Sequence, residues 1–260
     1  MLSEADRARA VEDLIEAAKT RRQMVQLSET WPDITIEDAY AISTAVAERR
    51  TGAGARLIGH KIGLTSKAMQ ASVGVDEPDY GYLFDDMMVA DGGAVAHAAY
   101  CAPRVEIELA FVLGAPLKGP CVGLLDVLRA TEYVVPAIEI IDARVQNPRQ
   151  IVDTVSDNGA AAGLVMGGRP VGPAEVDLRW VGGALYRNTE IEETGVALGV
   201  MGHPAMGIAW LANKLAPFDT GLETGHILLS GSFTRPVWAE PGDALHADFA
   251  ALGSVAVQFT

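Results

Sequence analysis

The sequence predicts an α+β fold in which an N-terminal helical cap packs on a β-rich body, a sandwich or rolled barrel. Three observations predict it. Apolar residues recur at helical spacing over about the first fifty positions. Beyond Arg56 the texture becomes short β-like runs punctuated by Gly and Pro. Few helical patterns interrupt those runs. The change of texture divides the chain into a cap, residues 1–55, and a β-rich domain, residues 56–260, together one compact unit.

In the first helical stretch, 3–27, the stripe is Ala10, Val11, Leu14, Ile15 and Ala18, with charged residues between. Thr35 followed by Asp38 makes a capping arrangement, with Asp where Glu or Gln is usual. It opens a second helix through Tyr40, Ile42 and Val46, which Gly52 and Gly54 stop. Strands are predicted over 56–65, 105–113, 133–142, 180–187, 227–233, 245–249 and 255–259. Two helices interrupt them, one over 124–131 and one from His203-Pro204 to Leu215, with Pro in the first turn it favours. Gly167-Gly168 and Gly182-Gly183 lack the strand–Gly-x-Gly-x-x-Gly–helix context of a phosphate loop and are read as turns.

With 49% hydrophobic residues in 260, the chain has enough apolar material for a sizeable core, which excludes disorder. Twenty Lys and Arg against 34 Asp and Glu leave a net charge of -14, which disfavours nucleic acid as a partner and supplies oxygen ligands for hard cations. No apolar run approaches the ~20 residues of a membrane span. The mixed charges of MLSEADRARAVEDL do not read as a secretory signal, so cytoplasmic location and two reduced thiols, Cys101 and Cys121, are expected.

The strongest chemical feature is Arg104-Val105-Glu106-Ile107-Glu108-Leu109-Ala110-Phe111. Alternation on a strand puts Val105, Ile107, Leu109 and Phe111 on one face. It puts Arg104, Glu106 and Glu108 on the other, the two Glu Cα atoms about 7 Å apart. They form either a half-exposed face of solvated acids or part of a site. The run VVPAIEII carries a lone acid, Glu139, among apolar residues. Buried, it must be neutral, paired with Arg144 or Arg104, or bound to a cation. If the two strands are neighbours, Glu106, Glu108 and Glu139 form an all-oxygen triad suited to Mg2+ or Mn2+ rather than zinc.

In Gly59-His60-Lys61-Ile62-Gly63, Lys61 shares its face with glycines that leave room for a carboxylate or enolate, unless it is an exposed Lys on an edge strand. His60 points the other way and is read as a hydrogen-bonded core residue. His97, His203, His226 and His246 lack metal-ligand spacing, and no Ser-His-Asp or Cys-His arrangement stands out. Polar stretches 153–158 and 231–236 could hold a carboxylate or be plain turns.

Taken together, GHKIGLTSKAMQ, EPDYG, PRVEIELAFVL, YVVPAIEIIDAR, DLRWVGG, HPAMGIAWLANKLAP and SGSFTRPV resemble the hydratase/decarboxylase family of aromatic meta-cleavage pathways, within the fumarylacetoacetase superfamily. The resemblance extends from about Thr35 to Phe259. It implies a mixed, rolled β-sheet like the fumarylacetoacetase C-terminal domain, and a divalent-metal-dependent enzyme, Mg2+ first with Mn2+ as alternative. It assigns the metal to Glu106, Glu108 and Glu139, and the polar pair beside the reacting carbons to Lys61 and Asp79. It places Ser156, Ser232 and Thr234 in segments that line the pocket. The implied activity is hydration of a 2-hydroxy-2,4-dienoate bearing a second carboxylate, by a homo-oligomer. Decarboxylation of a 2-oxo diacid and hydration of the five-carbon monoacid are the alternatives within the family. A C–C hydrolase would need a His-Glu dyad, which is not evident.

A small dicarboxylate needs a local cation on a chain this acidic. Arg235, in the SFTRP turn, is the first candidate, followed by Arg144, with Arg104 the least discriminating. The link after Asn147, NPRQIVDT, looks shorter than in several relatives and leaves that part of the rim undefined.

Overall fold

Ser3 opens the first helix, α1 (Glu4–Thr20), by accepting the backbone N–H of Asp6. Its buried stripe Ala10, Val11 and Leu14 packs against Leu27, Ile42 and Val145. The computed structural model describes residues 1–260, apart from the side chains of Ser72 and Val73. The predicted helical run to residue 27 is broken at Arg21, whose left-handed backbone ends α1 before a single-turn α2 (Leu27–Thr30). At α3 (Ile36–Gly52) the capping box is complete: Thr35 Oγ1 accepts from Asp38 N, and Asp38 accepts from Thr35 N.

The body continues as β1 (Leu57–Gly63), α4 (Lys67–Val73), β2 (Asp79–Phe84), β3 (Met88–Val89), β4 (Gly93–Val95) and β5 (Pro103–Leu113). Then come α5 (Leu124–Ala130), β6 (Thr131–Asp142), α6 (Ile151–Ser156), β7 (Ala161–Met166), β8 (Gly182–Arg187) and β9 (Glu190–Val196). The chain ends with α7 (Ala205–Leu215), β10 (Ile227–Leu229), β11 (Val237–Trp238), β12 (Ala244–Asp248) and β13 (Ser254–Phe259). An eight-stranded mixed sheet runs β2-β1-β10-β5-β6-β7-β3, with β11 beside β5. A five-stranded sheet runs β4-β13-β12-β8-β9. The fold is α+β on a curled mixed sheet, as the sequence predicts.

One face of the large sheet supplies the core. Val105, Ile107, Leu109 and Phe111 of β5 share one core with Leu245 and Val257 of the second sheet, with Phe249 just past the end of β12, and with Ile208 and Leu211 of α7. On the other face Ala110, Ala137 and Leu229 join Leu83 and Phe84 in a smaller cluster. The site residues stand on that second face. The predicted 227–233 strand ends early, at Leu229, because the chain turns at Gly231, whose φ of +112° suits glycine. Six further strands escaped the pattern: β2 and β7 are interrupted by glycine, β3, β4 and β11 are only two or three residues long, and β9 is acidic with no fully buried residue. Stretch 153–158 is largely helix α6 rather than a turn. Cys101 and Cys121 are free thiols. Among the described residues no helix is long and apolar enough to cross a membrane.

Candidate active site

Strand pairing brings the acids together. β5 and β6 are antiparallel neighbours with Glu106 directly opposite Glu139 and Glu108 opposite Ala137. Directly opposed residues share a face, so all three carboxylates converge. Their ligand oxygens lie within 4.8 Å of one another. Glu139 is wholly buried, and neither of its carboxylate oxygens has a hydrogen-bond donor at normal geometry among the described residues. Its charged neighbour is Lys61 Nζ at 3.5 Å, not the Arg144 or Arg104 that the sequence suggested. Glu108 is anchored by Gly231 N, which donates to Oε2 at 2.7 Å.

Lys61 reaches the same face from β1. It stands opposite Leu229 of β10, which stands opposite Ala110 of β5, while His60 stands opposite Leu228 and Phe111 on the core face. His60 is buried on the core face among Tyr80, Tyr82 and His226, as expected, but among the described residues its Nδ1 has no hydrogen-bond partner. Asp79 begins β2 opposite Gly63. A Cβ on Gly63 would sit 2.2 Å from Asp79 Oδ1 and 3.2 Å from Lys61 Nζ, so the glycine is what lets these two groups approach. Among the described residues, Asp79 Oδ1 is buried without a hydrogen-bond partner.

The electrostatics follow from this crowding. Burial raises the carboxyl pKa values of Glu106, Glu108 and Asp79, and pushes Glu139 up to about 7. Lys61 opposes each of those shifts, while the acids repel one another. Burial alone would lower the Lys61 ammonium, but Glu139, Asp79, Glu106 and Glu108 together hold it above its ordinary range. Three converging acids against one lysine make a donor set of hard oxygens with surplus negative charge, and the orphaned Glu139 oxygens fit a divalent cation such as Mg2+.

A cleft of about 280 Å3 opens over these groups. Lys61, Asp79, Glu106, Ser232 and Thr234 line it, together with Arg104 and Arg149. Ser232 Oγ donates to the carbonyls of Ile107 and Thr234 and accepts from Thr234 N, which sets the rim. Three sequence candidates lie elsewhere. Thr234 and Pro236 line the cleft, whereas the intervening Arg235 is 81% exposed and ion-paired with Glu193. Arg144 is engaged by Asp157 and by the carbonyls of Asp157 and Ala161. Ser156 is buried on the side of α6 that lines a second cavity of about 210 Å3, with Oγ unpartnered among the described residues. Arg149 was missed altogether, because one Arg in a proline-containing link carries no periodic signal.

The family model described as fumarylacetoacetate (FAA) hydrolase C-terminal matches residues 52–260. A "2-oxo-hept-4-ene-1,7-dioate hydratase" of Escherichia coli is 54% identical over 253 residues, 95% of each chain. A "2-keto-4-pentenoate hydratase" of Paraburkholderia xenovorans (strain LB400) is 37% identical over 254 residues, 97% of this chain and 94% of the relative. Among solved structures, 4-oxalocrotonate decarboxylase from Pseudomonas putida G7, complexed with magnesium and adipate, superimposes with a TM-score of 0.97 at 34% identity. That superposition covers 100% of this chain and 99% of the other.

Proposed function

The chain belongs to the fumarylacetoacetate hydrolase C-terminal family, and from that premise we propose that it is a Mg2+-dependent hydratase of 2-oxohept-3-ene-1,7-dioate. The substrate arrives as the tautomeric 2-hydroxyhepta-2,4-dienedioate, and the product is 4-hydroxy-2-oxoheptane-1,7-dioate. The observation that carries this reading is the buried triad Glu106, Glu108 and Glu139, packed against Lys61 beneath a cleft that Glu106, Lys61 and Asp79 line.

Glu106, Glu108 and Glu139 would hold the metal. When bound it supplies Lewis-acid stabilisation of negative charge on the substrate's carboxylate and 2-oxygen. The protein moves the protons. Lys61, kept charged by its acid neighbours, delivers one to carbon 5 while the 2-hydroxyl gives up its proton, which restores the ammonium, and so the conjugated ketone forms. Asp79, its basicity raised by burial and its Oδ1 without a hydrogen-bond partner among the described residues, orients the water that adds at carbon 4, takes its proton and returns a proton to carbon 3, which completes the 4-hydroxy-2-oxo product. Ser232 and Thr234 hold the rim against the substrate chain. The working form is a cytoplasmic homo-oligomer in the same reading.

The test is product analysis by NMR with the purified protein, Mg2+ and the seven-carbon dienedioate. The 4-hydroxy-2-oxo diacid should accumulate, EDTA should abolish it and Mg2+ should restore it. Carbon dioxide release from 4-oxalocrotonate at a higher kcat/KM would instead make the protein a decarboxylase.

A further inference from the structure

The cleft has a second charged end. Arg104 lies on the Glu106 face of β5, about 7 Å along the strand by Cα spacing, a distance comparable to the length of an extended seven-carbon chain. Its guanidinium stacks over the Trp238 ring at 5.0 Å. Arg149 enters the same cleft from the link between β6 and α6, steadied by a 3.3 Å hydrogen bond from Nη1 to the Val145 carbonyl. Among the described residues neither guanidinium has a carboxylate within ion-pair distance, although most other arginines of this acidic chain do. Both are partly buried, and the positive charge of Arg104 bears on Arg149. Glu106 bears on Arg104, and Asp157 and Asp153 on Arg149, but only from beyond ion-pair distance; two cations held near each other with no carboxylate in contact make an anion site.

We propose that Arg149 and Arg104 together bind the distal carboxylate of a diacid substrate whose other end lies at the acid triad, and so set chain-length and diacid specificity. This rests on the hydratase reading and deepens it. It also displaces Arg235 from that role, since Arg235 points out of the cleft and is already paired. Arg149 is the more discriminating of the two. It stands on a link rather than on a central strand, so its replacement leaves the sheet and the triad in place.

The test pairs kinetics with binding. For Arg149→Ala, kcat/KM with the seven-carbon dienedioate should fall about ten- to a hundredfold, the worth of a charge-assisted carboxylate pair. With 2-hydroxypenta-2,4-dienoate, which lacks the distal group, it should change less than about threefold. Calorimetry on the Mg2+-loaded protein uses heptanedioate and heptanoate as probes. Arg149→Ala and Arg104→Gln should each weaken the diacid and leave the monoacid unchanged, while Arg235→Ala alters neither. Equal losses on both substrates, or undiminished heptanedioate binding in both variants, would overturn the assignment. If the wild-type protein bound heptanedioate through Arg149 yet did not hydrate the dienedioate, the carboxylate site would stand and the hydratase reading would fall.

Discussion

Lys61 and His60 are adjacent in sequence and opposite in environment. Strand alternation gives Lys61 four acidic neighbours and gives His60 three aromatic rings. In the proposed reaction a lysine so surrounded serves as a proton donor held in place, and removing it should leave the carboxylates free to take a cation. Lys61→Met is therefore expected to lower kcat by about two to four orders of magnitude, with Mg2+ affinity by calorimetry held or raised. His60→Leu should keep kcat within a few-fold. Its ring makes no Nδ1 hydrogen bond to lose, so its melting temperature should hold as well. A larger kcat loss at His60 than at Lys61 would reverse the assignment of faces.

At the scale of the element, the two glycines of β1 separate function from folding. A Cβ on Gly63 meets side-chain ends, Asp79 Oδ1 and Lys61 Nζ, which can shift. A Cβ on Gly59 would lie 1.8 Å from the Ile227 carbonyl oxygen of the paired strand, at a φ of +153°. Gly63→Ala should thus fold normally but cost on the order of 100-fold in kcat/KM, through misplacement of the proton-handling pair. Gly59→Ala should destabilise by on the order of 2–4 kcal/mol in urea denaturation. The reverse ranking of the two variants would show that β1 does not position the pair as described. The same strands mark what was legible beforehand. Period-two alternation exposes the two faces of β5 directly, and a lone acid in apolar β6 signals its partners, so the triad could be read. Strand pairing is non-local, and only register shows that Glu106 meets Glu139. Asp79 carried no pattern of its own; it came from family likeness, and only the β1–β2 pairing gives it a place beside Lys61. Arg235 was misplaced for a related reason. A turn has no fixed period, so which of Thr234, Arg235 and Pro236 faces inward cannot be deduced from spacing.

Across the whole molecule, the cap and the body share polar anchors. Asp153 of α6 accepts from both the backbone and the hydroxyl of Ser28, and Arg144 ties Asp157 beneath the cleft. Within this frame the acid triad is a charge imbalance that a cation relieves, and its effect on stability depends on pH. The folded pKa of Glu139, about 7, lies above its ordinary 4.5. The metal-free protein is therefore favoured where that carboxyl is protonated, and the contribution is lost as pH rises from about 4.5 through about 7. Asp157, raised to about 6 by burial against the pull of Arg144, acts in the same direction. His60 opposes both. Burial lowers its pKa to about 3, so acidification below 6.5 protonates the unfolded chain first and destabilises the fold. The raw pH profile is thus a sum of opposing parts, but neither His60 nor Asp157 belongs to the triad, so the difference between Mg2+-loaded and EDTA-treated protein removes them. Since a cation requires ionised ligands, that difference in melting temperature should widen steadily from pH 5 to pH 8. Glu139→Gln should abolish most of it and raise the metal-free melting temperature at pH 8, because it deletes a buried repulsive charge while keeping the side chain's shape. A difference that stayed flat with pH, or a Glu139→Gln protein that kept the full Mg2+ stabilisation, would mean that the cation binds outside the triad.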